Sequence, residues 1–304
     1  MDTVKNTEND KKIKTGLVME GGAMRGMFTC GVLDVFMERG LDFDGAAGIS
    51  AGAVFGCNYK SRQIGRPIRY NMRFCNDPRY CGLRSLLKTG DLYGVDFCYK
   101  EIPDKLDIFD RKAFAENPMK FYVGTTDVTT GLPVYHLCTD GGDNDLLWMR
   151  ASASMPFVSR VVEVDGYKLL DGGIVDSIPL RFMQEKGYNR NVVILTQPID
   201  YRKKKSSIVP LMKLTMKKYP MVIKAMEERH EMYNRQVEDI IKMEKEGRIF
   251  VIRPESSLGI SRTESDPNEL KRVYEMGRKE AETRFDDMMV YLEAAHNTHY
   301  EDNR

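Results

Sequence analysis

Gly48-Ile49-Ser50-Ala51-Gly52 follows a short apolar stretch, Phe43 to Ala47, and runs straight into the small-residue segment Ala51-Gly52-Ala53-Val54-Phe55-Gly56. That order reads as strand, tight turn and helix, the context a G-x-S-x-G nucleophile elbow requires. Gly48 and Gly52 keep side chains out of a sharp backbone bend, and Ser50 is pushed out at the carboxyl edge of a sheet. Helix N-terminal N–H groups then lie near its hydroxyl, where developing negative charge can be held.

Upstream, Thr15 to Met19 reads as a buried first strand that enters Glu20-Gly21-Gly22-Ala23-Met24-Arg25-Gly26. A helix pattern follows, with Phe28, Val32, Val35 and Phe36 on one face. A glycine-rich turn between strand and helix offers bare N–H groups to a phosphate or to the oxyanion of an acyl-transfer intermediate. It can also be only a tight turn. No Lys-Ser/Thr pair follows the last glycine, which excludes a Walker-type phosphate loop. A dinucleotide fingerprint fits poorly, because Ala23 stands at its middle glycine. Beside an elbow, the oxyanion reading is favoured.

Downstream, Tyr167-Lys168-Leu169-Leu170 leads into Asp171-Gly172-Gly173 and then Ile174-Val175-Asp176-Ser177-Ile178-Pro179. An apolar run ending in an acid and two glycines places a carboxylate at a strand end where the backbone must turn at once. A serine hydroxyl needs a base to take its proton, and a carboxylate within reach can serve. A lone Asp-Gly-Gly is more often an ordinary turn; here it accompanies two other motifs.

The glycine loop, the elbow, the Asp-Gly-Gly and the small-residue stretch Ala151-Ser152-Ala153-Ser154-Met155-Pro156 together resemble the patatin-like phospholipase family, in its bacterial branch. The resemblance runs from about Gly16 to Pro198. It implies that Ser50 is the nucleophile and Asp171 the general base, a dyad without histidine. It implies an oxyanion hole of N–H groups around Gly21, Gly22 and Ala23, with Arg25, Gly26, Gly48, Gly52, Gly172 and Gly173 in support. Two positions depart from the family pattern. Ala23 replaces the usual third glycine, and its N–H serves provided that φ there is negative. Ser177-Ile178 replaces a frequent Asn-Asn before Pro179.

Only four histidines occur, His136, His230, His296 and His299. A Ser-Asp-His order leaves His230 as the candidate third member of a triad, but it sits in a charged helix pattern and reads as a surface residue. His136 ends a strand-like run and reads as structural. No His, Cys and carboxylate cluster has zinc or calcium spacing, so neither metal nor cofactor is expected.

A 304-residue chain with 42% hydrophobic and 30% charged residues supports one sizeable core plus an appendage. The net charge of +1 points to no partner. Six cysteines without a CxxC pair suggest reduced thiols and a cytoplasmic protein. Residues 1–14 form a polar tail without a secretory signal, and no stretch is apolar for long enough to span a membrane. Charge is concentrated between Lys60 and Lys88, where eight basic residues meet only Asp77, interleaved with Tyr70, Phe74 and Tyr80. Such a flap could overhang the site and meet an anionic membrane at the inner face. The rival readings are a nucleic-acid platform and a solvated helix face. Tyr201-Arg202-Lys203-Lys204-Lys205 reads as an exposed basic loop.

The remaining pattern is α/β, a mostly parallel central sheet sandwiched by helices. Phe121–Thr126 and Leu132–Leu137 form a hairpin, and Asn191–Gln197 a buried central strand. The catalytic domain is read as residues 15–200. Residues 201–304 are read as a helical extension whose strand at 248–253 returns to the main sheet. A helix over Pro220–Gly247 and another opened by Asp266-Pro267-Asn268-Glu269 complete it. The function expected is a lipid-ester acylhydrolase. A non-catalytic binding or regulatory protein on the same fold is the alternative, and nucleic-acid binding is a further one.

Overall fold

Leu17-Val18-Met19, Ala46-Ala47 and Val192-Val193-Ile194 offer no polar face to water, so they suit strands covered on both sides. They form the middle of the sheet in the computed structural model, which describes residues 13–294. Most of the polar amino-terminal tail, together with His296 and His299, lies outside the described residues.

In chain order the strands are β1 (Thr15–Met19), β2 (Gly45–Ile49), β3 (Lys120–Asp127), β4 (Pro133–Cys138), β5 (Val162–Val164), β6 (Tyr167–Asp171), β7 (Arg190–Ile194) and β8 (Ile249–Ile252). Among the described residues, five α-helices precede β3: α1 (Gly26–Glu38), α2 (Ala51–Lys60), α3 (Arg66–Phe74), α4 (Leu83–Thr89) and α5 (Arg111–Glu116). Later come α6 (Asp143–Ser152), α7 (Leu180–Glu185), α8 (Val209–Thr215), α9 (Pro220–Lys245) and α10 (Pro267–Glu293).

The sheet order is β5-β6-β3-β2-β1-β7-β8, with β4 also paired to β3. The run β3-β2-β1-β7-β8 is parallel, and β4, β5 and β6 join antiparallel. Side chains alternate between the two faces, as a strand period of two requires. Leu17, Met19, Ala46, Val192, Ile194 and Ile252 pack with α1, α2 and α10 on one side. Val18, Ala47, Val193 and Val251 pack with α7 and α9 on the other. The chain is therefore α/β with a mostly parallel sheet between helical layers and a helical carboxyl-terminal region.

That terminal region is continuous with the core. Strand β8 pairs parallel with β7 from Asn191↔Ile249 to Ile194↔Ile252. Helix α9 buries the stripe Val222, Met226, Tyr233, Val237 and Ile240. Helix α10 starts at Asp266, whose carboxylate accepts from the Asn268 N–H at 2.8 Å. Glu269 pairs with Arg272 instead of closing a capping box. Sequence periodicity gave α1 a single apolar face, yet it is buried all round from Gly26 to Met37, because α10 lies along its outer side.

The two helices meet backbone to backbone. A Cβ on Gly277 would collide with the Phe28 carbonyl oxygen, and one on Gly31 with the Tyr274 carbonyl. Around this contact the Tyr274 hydroxyl donates to Asp34 at 2.7 Å, and Arg278 pairs with Glu38 at 2.7 Å. We expect Gly277→Leu to lower the unfolding free energy by at least about 1–3 kcal/mol through overpacking. Chemical denaturation checks this; an unchanged midpoint would mean that α10 is not seated on α1.

Candidate active site

Strand β3 carries three neighbours on two edges. Strand β4 occupies one edge along residues 121–126, so β2 and β6 must share the other. They approach from opposite directions. Strand β2 ends with Ile49 opposite Gly124, and β6 ends with Asp171 opposite Thr125. Ser50, the residue after Ile49, and Asp171 are thus delivered to adjacent rungs of one strand, although 121 positions separate them in sequence. Only a small residue fits at this junction. A Cβ on Gly124 would strike Ile49, and one on Gly172 would strike the Gly124 carbonyl.

Ser50 has φ 55° and ψ −120°, a conformation that L-residues avoid. Both elbow glycines are forced by close approach of backbones. A Cβ on Gly48 would collide with the Gly52 carbonyl, and one on Gly52 with that of Met19. The Ser50 N–H donates to Ser152 Oγ at 2.8 Å, and the Ser152 hydroxyl donates to the Gly124 carbonyl at 2.6 Å. The carboxyl end of α6 therefore ties the elbow to the junction. One residue on from Ala153, the Ser154 carbonyl accepts from the Asp171 N–H at 2.8 Å.

Asp171 is 2% exposed. Loss of solvent lifts its carboxyl above the ordinary aspartate range, against the opposing influence of Arg229, the Ser50 hydroxyl and the Gly173 N–H. The Gly173 N–H donates to Asp171 Oδ1 at 2.7 Å. The Gly173 carbonyl in turn accepts from Arg229 Nε at 2.6 Å and from Ser177 Oγ at 2.9 Å. Ser177, at one of the departures from the family pattern, thus holds the turn that carries Asp171.

The glycine loop lies over the elbow: a Cβ on Gly21 would stand 2.9 Å from both the Ile49 carbonyl oxygen and Ser50 Cβ. Among the described residues, no acceptor takes the Gly21 or Gly22 N–H. Buried Glu20 braces the loop, accepting from the Thr196 N–H at 2.6 Å and the Tyr233 hydroxyl at 2.7 Å. The condition placed on Ala23 is not met. Its φ is +51°, so alanine adopts the left-handed conformation that the usual glycine would take freely.

Two cavities meet at Ser50. One is lined mainly by polar residues and holds Glu20, Gly21, Gly22, Ser50, Asp171 and Gly173, with Ala23, Arg25, Lys203, Arg229, Tyr233 and Arg262 also on its wall. The other is chiefly apolar and is lined by Met24, Phe55, Tyr70, Tyr80, Phe109 and Met149 among others. The basic stretch after the elbow therefore borders the site, but its three interleaved rings do not face outward. Tyr70, Phe74 and Tyr80 are buried. Lys60 donates to the Asn117 and Met119 carbonyls, Arg66 to Asn58 and the Asp107 carbonyl, and Arg69 pairs with Asp107. Helix α4 is open to solvent, with Leu83 67% and Leu87 80% exposed beside Arg84 and Lys88.

Neither of the two described histidines, His136 and His230, lines the cavities at Ser50. His230 contacts the Glu227 carbonyl at 3.0 Å and lines neither cavity. His136 bonds Asp145 at 2.8 Å and stacks on Trp148. His136, Cys138 and Asp145 form a group with metal-compatible spacing, although Asp145 Oδ2 already accepts three backbone N–H groups. Sequence reading missed Ser152, Lys203, Arg229, Tyr233 and Arg262. Lys203 was placed in an exposed loop, whereas it is half-buried and faces the site.

A family model described as patatin-like phospholipase matches residues 17–183, more than half of the chain. The chain belongs to the patatin-like phospholipase family. A second model, a domain of unknown function (DUF6363), matches residues 219–293 and so covers α9, β8 and α10 of this patatin-like protein. It is 32% identical over 195 residues to the uncharacterized protein YjjU of Escherichia coli, covering 61% of this chain and 52% of that one. It is 26% identical over 191 residues to the lysophospholipase nte1 of Aspergillus terreus, covering 59% of this chain and 11% of that protein. The chain thus spans about half the length of YjjU and far less of nte1. VipD from Legionella pneumophila aligns over 90% of this chain and 67% of its own, at 12% identity and a TM-score of 0.46.

Replacing Ala23 by glycine relieves a positive-φ alanine, and we expect a gain of about 1 kcal/mol in stability. Denaturation of Ala23→Gly beside the parent protein measures it. A loss of similar size would show that the loop does not hold this conformation in solution.

Proposed function

We propose that the protein is a serine acylhydrolase acting on lipid esters through a Ser50–Asp171 dyad. The observation that carries this reading is the meeting of β2 and β6 on β3, which puts Ser50 and Asp171 in one cavity under the unpaired Gly21 and Gly22 amides. In this reading Asp171 takes the hydroxyl proton as Ser50 Oγ attacks the ester carbonyl. The Gly21 and Gly22 N–H groups hold the oxyanion, with Arg25 adding positive charge. The alcohol leaves with the proton from Asp171. Water, deprotonated by the same carboxylate, then releases the acid and restores the hydroxyl.

The apolar cavity beside Ser50 supports an acyl chain as the group transferred. The name lysophospholipase, borne by a relative, is consistent with that class of substrate. No described helix is long and apolar enough to cross a membrane, so a lipid would be met at a surface. Leu83 and Leu87 on α4, flanked by Arg84 and Lys88, are the residues we assign to that contact, in a protein residing in the cytoplasm. The burial and pairing of the other basic residues in this stretch weigh against nucleic acid as partner.

Ser50→Ala should abolish labelling by a fluorophosphonate probe and reduce ester turnover by roughly four orders of magnitude. Labelling equal to that of the parent would contradict the assignment. Asp171→Asn should match that loss while keeping its unfolding midpoint, and retained hydrolysis would remove Asp171 from its role as base.

The pH profile follows from the carboxyl environment. The base acts when ionised, so kcat/KM should climb with pH through the Asp171 ionisation, above the range of an ordinary aspartate. Arg229 favours the carboxylate, so Arg229→Met should move this acidic limb to higher pH. A limb that stays put would disconnect Arg229 from the base.

A further inference from the structure

The cavity around Ser50 holds more positive charge than acyl transfer requires. Arg25, Lys203, Arg229 and Arg262 line it, against the carboxylates of Glu20 and Asp171. Glu20 is occupied by Thr196 and Tyr233. Arg25 Nε is buried without a hydrogen-bond partner, and Arg229 Nε is taken by a carbonyl. Among the described residues, no carboxylate stands within ion-pair distance of any of the four cations. Elsewhere the chain pairs its half-buried arginines readily, as Arg150 with Asp91 and Arg278 with Glu38 show.

The cluster is positioned with some care by the surrounding residues. The Lys203 backbone is fixed on both sides by Asn234, whose side chain accepts from its N–H at 2.8 Å and donates to its carbonyl at 3.1 Å. Lys203 Nζ lies 4.2 Å from the centre of the Tyr233 ring. The Tyr93 hydroxyl, at the wall of the apolar cavity, contacts the Arg262 carbonyl at 3.4 Å. The electrostatic consequence is a shortage of negative charge. Loss of solvent, reinforced by Arg229, Arg25 and Arg262 against Glu20, pushes the Lys203 ammonium down to about 7. Burial likewise lowers Arg229, despite Asp171.

We infer that this cluster is a headgroup subsite that takes the phosphate of an acyl ester whose head is net anionic, with its acyl chain in the neighbouring apolar cavity. Guanidinium forks suit phosphate oxygens, and the lysine adds a point charge among them. A zwitterionic head would bring its own ammonium against four cations, and a neutral ester would leave them unpaired. Arg229, Tyr233 and Arg262 belong to residues 219–293, beyond the patatin match at 17–183. The carboxyl-terminal region therefore supplies selectivity for the ester bond that the patatin region cleaves. The inference rests on the acylhydrolase reading for the ester and on the cation cluster for the charge.

The test uses the full chain carrying Ser50→Ala, titrated calorimetrically with monomeric dihexanoyl phosphatidate, dihexanoyl phosphatidylcholine and inorganic phosphate at about 0.1 M salt, where surface charges are largely screened. Phosphatidate should bind at least tenfold more tightly than the other two. Adding Lys203→Gln and Arg262→Gln together should remove most of that preference. Arg262→Gln alone, at an exposed position, should reduce it severalfold if the double variant does not fold. Equal affinity for the two lipids, a preference that survives the substitutions, or inorganic phosphate binding as well as phosphatidate would overturn the subsite. Turnover by the parent protein separates the two ideas. Selective binding without hydrolysis of either lipid removes the acylhydrolase reading alone, and equal kcat/KM on both lipids removes the subsite alone.

Discussion

Two strands compete for one edge of β3, and neither can run its full length there. Strand β2 must stop at Ile49, because the next rung belongs to β6. Strand β6, coming the other way, must stop at Asp171, because Gly172 has to slip past the Gly124 carbonyl. A sheet edge with two strand ends facing each other is costly unless the freed backbone groups find partners. Here Ser152 fills the gap, taking the Ser50 N–H and giving its own proton to Gly124. The left-handed turn at Ser50 is the strained product of this collision, held because α2, α6 and the glycine loop all pack onto it.

The carboxyl-terminal third is shaped by the same junction. It extends the sheet by β8, seals α1 from the outside through the Gly31–Gly277 contact, and sends α9 across the opposite face. From α9 comes Arg229, which grips the Gly173 carbonyl and favours ionisation of Asp171. Tyr233, one turn further along the same helix, supports Glu20 beneath the glycine loop. A region that reads as an appendage therefore stiffens both halves of the site.

Much of this was legible in the residues. The elbow, the glycine loop and the Asp-Gly-Gly each announce a local backbone necessity, and continuous apolar runs announce buried strands. Their order along the chain points to the α/β layering, and the family resemblance they carry implies a shared destination for Ser50 and Asp171. What stayed hidden depends on long-range placement. Lys203 sits among four other polar or basic residues, and only the Asn234 clamp turns it inward. Arg229 lies in a run of charges on α9, where nothing local distinguishes it from Glu228. Tyr70, Phe74 and Tyr80 look surface-seeking because arginines surround them, but α3 turns Tyr70 and Phe74 inward while its arginines reach Asp107 and nearby carbonyls, and the buried Tyr80 donates its hydroxyl to Asn71. The sign of φ at Ala23 likewise follows from how the loop meets the elbow, which composition does not encode.

The most direct measurement of the central claim is a crystal structure of the protein after reaction with a methyl fluorophosphonate. The account predicts phosphorus bonded to Ser50 Oγ, the phosphoryl oxygen against the Gly21 and Gly22 amides, and the Asp171 carboxylate within hydrogen-bond distance of that Oγ. An adduct on another residue, or a phosphoryl oxygen turned away from the glycine loop, would contradict it.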